Sequence, residues 1–92
     1  MLVAYVTISS YHNIIMGMEK DLARMKRHPE GVRFEELERI VLRSGFKRVN
    51  IKGSRRVYMK GNKVLTVVRP HGRQKHCHWL DVKDVIRSLG ED

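Results

Sequence analysis

The chain predicts an α+β domain in which two helices cover one face of a three-stranded antiparallel sheet, in the order α-β-β-β-α. Three observations carry that expectation. An apolar stripe at helical spacing runs through Phe34, Leu37, Ile40 and Val41. Three short strand-like segments follow it, separated by Gly53-Ser54 and Gly61-Asn62. A second helical stripe, Val82, Val85, Ile86 and Leu89, closes the chain. Each helix is apolar on one side only, so both must bury that side against a common sheet face.

Ninety-two residues, 41% of them apolar, support one such layered core and little more. Nineteen Lys+Arg against ten Asp+Glu leave a net charge of +9, which points to an anionic partner. Charge alone also suits a ribosomal protein, a membrane-surface binder or a subunit paired with an acidic one. The single cysteine, Cys77, excludes an internal disulfide framework and fits a reducing, cytoplasmic setting. Residues 1–18 hold no Lys, Arg, Asp or Glu, yet they lack the basic start and cleavage motif of a secretory signal. Ser9, Ser10, His12 and Asn13 break the apolar run, which argues against a membrane span. The segment reads as a leader, disordered or upstream of an internal start at Met16 or Met18, ahead of one domain over 19–92. Alternation of Leu2, Ala4, Val6 and Ile8 with Val3, Tyr5, Thr7 and Ser9 supports the other reading, an edge strand or dimerising arm and hence a homo-oligomer.

Within the domain, Glu19 to Lys26 is a short helical candidate that Pro29 and Gly31 interrupt. Val32 to Ser44 is the best helix: Glu35 pairs with Arg39 one turn on, and Gly45 supplies the stop. Phe46 to Lys52 reads as a strand with Val49 and Ile51 on one side. Arg55 to Lys60 and Lys63 to Arg69 form a hairpin, Gly61 supplying the positive φ of a two-residue loop. Val64 to Val68 is nearly all apolar and is expected to be the most buried strand. Pro70-His71-Gly72 ends it, and a basic loop leads to a final helix capped by Asp81, with Trp79 anchored in the core.

Taken in order, Val32-Arg33-Phe34-Glu35-Glu36-Leu37, Gly45-Phe46, Lys52-Gly53-Ser54, Leu65-Thr66-Val67, Pro70-His71-Gly72 and the helix to Leu89-Gly90 resemble the HicA family of toxin–antitoxin systems. The resemblance spans roughly residues 25 to 90. It implies a fold like the double-stranded-RNA-binding domain, endonucleolytic hydrolysis of mRNA without a metal, and a HicB-like antitoxin as partner. The family's motif is Gly-Ser-His, with the histidine catalytic; here Gly53 and Ser54 match and the third position is Arg55. Cleavage needs a base for the 2′-hydroxyl and an acid for the leaving oxygen, and a histidine with its ordinary pKa of about 6.5 serves either role. Arginine stays protonated; it binds phosphate or stabilises a charged transition state but is no base.

The candidate catalytic residues are therefore Arg55, for phosphate charge, and His71, the loop histidine held between Pro70 and Gly72 and the best remaining base. Lys47, Arg48, Lys52, Gly53, Ser54, Arg56, Arg73 and Lys75 are the candidate RNA-binding residues, with Lys60, Lys63, Arg69 and His76 nearby. In this reading they line one basic face. Tyr58 is a candidate for base stacking, though an aromatic on a strand is more often core. His76-Cys77-His78 has no zinc-like spacing, so neither metal nor cofactor is expected. The alternatives to an active ribonuclease are a non-catalytic RNA-binding or antitoxin-binding module, and a basic subunit of a ribonucleoprotein.

Overall fold

The computed structural model describes residues 17–90, and the architecture is the expected α+β arrangement with one further helix ahead of it. That helix, α1, covers residues 17–27. The expected leader therefore lies outside the described residues except for Gly17 and Met18, which are already helical. Helix α1 buries Met25 completely and packs Leu22 against the core. Arg24 reaches Glu36 at 2.7 Å and Asp21 reaches Arg39 at 3.8 Å, which lays α1 alongside the next helix. Pro29–Gly31 form a single 3-10 turn that re-aims the chain.

Helix α2, Phe34–Arg43, buries the four residues of its stripe, Phe34, Leu37, Ile40 and Val41. Its carboxyl end closes by a Schellman arrangement. Gly45, at φ +101°, donates to Leu42 O at 3.1 Å, and Phe46 donates to Val41 O at 3.3 Å. The buried Phe46 thus tucks under the helix it ends. Lys60 Nζ caps the same end through Ser44 O at 2.6 Å.

Three antiparallel strands follow, β1 (Lys47–Lys52), β2 (Arg55–Lys60) and β3 (Lys63–Val68), with β2 in the centre. Gly61, at φ +58°, turns the β2–β3 hairpin, in which Lys60 pairs with Lys63. Register sorts the side chains. Tyr58 opposes Leu65 and Arg56 opposes Val67; Tyr58, Leu65 and Val67 are buried under α2 and the closing helix. Val57, Met59, Val64, Thr66 and Val68 alternate onto the opposite face, which the described residues leave uncovered.

The strands depart from expectation at two places, for different reasons. Strand β3 does bury more residues than its neighbours, namely Leu65 and Val67. It is an edge strand covered on one side only, however, so the rest of its apolar run is not core and Val64 and Val68 are 57% and 43% exposed. Strand β1 is exposed throughout: Val49 and Ile51 do not share a buried side, because an irregularity between Arg48 and Asn50 breaks the alternation at Val49. An apolar run signals burial only where both sheet faces are covered.

Helix α3, Trp79–Ser88, buries Val82, Val85 and Ile86. Its cap is not Asp81. His78 occupies that position, and its Nδ1 accepts from Leu80 N at 3.1 Å. Asp81 instead accepts from Val68 N at 3.1 Å and pins α3 to the end of β3. Trp79 is not a core anchor either: it is 43% exposed, stacked on His78 with Lys83 Nζ 5.0 Å above its ring. The first residue of a helix points where its cap sends it, and here that is outward. No helix among the described residues is long and apolar enough to cross a membrane.

Candidate nucleic-acid interface

The Lys52–Arg55 turn joins β1 to β2 through Gly53, whose φ of +60° is the left-handed conformation that glycine adopts at least cost. Arg56 folds back across it and donates through Nη1 to Gly53 O at 2.6 Å. A second latch comes from far along the chain: Arg69 N donates to Ser54 O at 2.7 Å. That bond draws the segment after β3 against the turn. Gly53, Ser54, Arg56, Arg69, Pro70 and His71 then line an open basin of about 420 Å³. Two arginines and a histidine face it and no carboxylate does, so the basin is built to attract an anion.

The loop beyond is tied at its other end. Cys77 N donates to Val32 O at 2.8 Å, and the side chain is buried. Burial first, then the charges of Asp81 and Glu35, push the Cys77 thiol up to about 12, so it stays protonated and unreactive. His71 thus rides on a segment anchored at both ends. Arg69 is also held in place: its guanidinium lies 5.4 Å from the centre of the Phe34 ring and 3.9 Å from Glu35 Oε1. On the far side of Arg69 and Pro70 lies a second basin of about 440 Å³, lined also by Arg33, Phe34, Glu35, Gln74 and Lys75.

Of the sequence-predicted residues, Gly53, Ser54, Arg56 and His71 come together in the first basin. Arg55 is not among its lining. It opposes Lys52 and Val68, placing it on the uncovered sheet face with Lys47. Arg48 faces the helices and is committed to Glu38 at 3.3 Å. Lys75 belongs to the second basin, and Arg73 is exposed in the loop between the anchors. The expected single basic face is therefore divided by strand alternation, and the two candidate catalytic residues do not share a pocket.

Tyr58 is fully buried, which removes it as a stacking platform. Its hydroxyl donates to Glu38, and burial together with that carboxylate raises the phenol well above its ordinary value. Sequence reasoning missed Arg33 and the central place of Arg69 and Pro70. The latch is a long-range backbone bond that no local pattern announces. Among the described residues no three His, Cys, Asp or Glu side chains are grouped to hold a metal. No protein-family model, curated protein or solved structure matches the chain.

Proposed function

We propose that this is an RNA-engaging, HicA-like toxin component that takes RNA at the basin of the β1–β2 turn and is restrained by a HicB-like antitoxin. The observation that carries the reading is the Arg69–Ser54 latch. It brings Arg56, Arg69 and His71 around the Gly53-Ser54 turn with no acidic residue among them. The chemistry suits a phosphodiester: the arginines bind its oxygens, and they stabilise the extra charge when the 2′-oxygen attacks phosphorus. In this scheme His71 takes the 2′-hydroxyl proton as the 2′-oxygen bonds phosphorus, and the 5′-oxygen leaves as its bond to phosphorus breaks, taking a proton from the water that fills the open basin. No metal or cofactor enters it.

One observation favours the non-catalytic reading. Arg55 stands where the resembling family carries its histidine, and it lies on the uncovered sheet face away from His71. Cleavage of a mixed RNA by the natural protein, His71→Ala and Arg55→His separates the two. Activity lost in His71→Ala identifies a ribonuclease that uses the basin. Activity found only in Arg55→His identifies a binding module that kept the surface and lost the base. Absence of both cleavage and retardation at low salt removes the RNA reading altogether.

A further inference from the structure

Arg69 and Pro70 form a ridge with a basin on either side. We infer that the RNA segment is single-stranded and crosses this ridge, one nucleotide in the turn basin and the next beside the start of α2, where Arg33 and Lys75 hold its phosphate. The inference rests on the RNA reading of the turn basin and extends it to a second subsite. The two basins share a wall, so a chain leaving one enters the other directly. Their volumes, about 420 and 440 Å³, are alike and lie within the range that accepts a small ligand, about 300–1,000 Å³.

Charge runs through both. Arg33, Arg69 and Lys75 face the second basin against one carboxylate, Glu35. Glu35 is 72% exposed and 3.9 Å from Arg69, so that pair is weak and a phosphate displaces it readily. The ridge arginine does not swing freely, because its guanidinium rests over Phe34. It is placed to bond the phosphate that links the two nucleotides, which is the one group both basins must share. The two hollows, open as they are, favour an unpaired strand. A duplex presents a convex backbone with its bases stacked inside, whereas an unpaired strand lets each base and sugar enter a hollow.

The test measures affinity for a short labelled oligouridylate and for a blunt RNA duplex across a salt series. It compares the natural chain with Arg33→Ala/Lys75→Ala, two exposed positions whose loss leaves the core untouched. Each phosphate neutralised on a single strand contributes about 0.7 to the slope of log affinity against log salt, so the double variant, which gives up one phosphate, should lose about 0.7. The natural chain should prefer the single strand, and melting curves should show both proteins equally folded. An unchanged slope in the double variant, or a duplex bound as tightly as the single strand, overturns the second subsite and leaves the turn basin standing. If the natural chain binds neither RNA at low salt, the subsite and the RNA reading fall together.

Discussion

Tyr58→Phe tests the packing that sets the sheet under its helices. The ring is fully buried at the centre of β2, and its hydroxyl donates to Glu38 on α2, which also receives Arg48 from β1 at 3.3 Å. Phenylalanine keeps the ring and its contacts and removes only the donor. A hydrogen bond to a charged group contributes about 1.5–3 kcal/mol. Glu38 keeps Arg48, and its side chain is 19% exposed, so water partly replaces the phenol and the lower end applies, about 1.5–2 kcal/mol. For a domain of this size that is a fall in Tm of about 6–16 °C. Arg48→Ala breaks an ion pair whose arginine is 44% exposed and should cost no more than about 1 kcal/mol. Urea and thermal unfolding followed by circular dichroism compare the two. A loss below about 0.5 kcal/mol in Tyr58→Phe, or a smaller loss than in Arg48→Ala, would refute the role given to the hydroxyl.

Three further outcomes follow from the same geometry. Gly45→Ala should lose about 1–2 kcal/mol in urea midpoints, because φ is +101° there and a new Cβ would stand 3.2 Å from Lys60 Cε. Gly53→Ala, at φ +60° with open space around it, should lose less. Stability should fall at alkaline pH: Tyr58 and Cys77 are neutral in the fold with their values raised from 10.0 and 9.0, so the unfolded chain ionises first. Their contribution is whole below about pH 9 and is lost as pH climbs past the unfolded values, which unfolding midpoints measured across that range will show. Arg55→Ala should weaken RNA retardation less than Arg56→Ala, because only Arg56 faces the basin.

Much of the fold was legible because it rests on local periodicity. The stripe Phe34, Leu37, Ile40 and Val41 is the face α2 buries, and Gly45 and Gly61 sit where positive φ is needed. What escaped depends on contacts between distant segments. Val64 and Val68 read as core until the sheet is seen to be covered on one side. Asp81 has the chemistry of a helix cap but is used by Val68 N, leaving the cap to His78. At the candidate site, the Gly53-Ser54 turn and His71 were visible as separate motifs. Their meeting was not, since it depends on one backbone bond from Arg69 to Ser54. Arg55 and Arg56 are neighbours in the chain with opposite destinations, and only the register tells them apart.

The central claim is that the latched turn basin engages RNA through Arg56 and Arg69. Retardation of a single-stranded RNA across a salt series, for the natural chain beside Arg56→Ala/Arg69→Ala, tests it most directly. Salt-sensitive binding whose slope drops by about 0.7, one phosphate, in the double variant is the predicted result. Equal slopes in the two proteins, or no retardation at low salt by the natural chain, would contradict it.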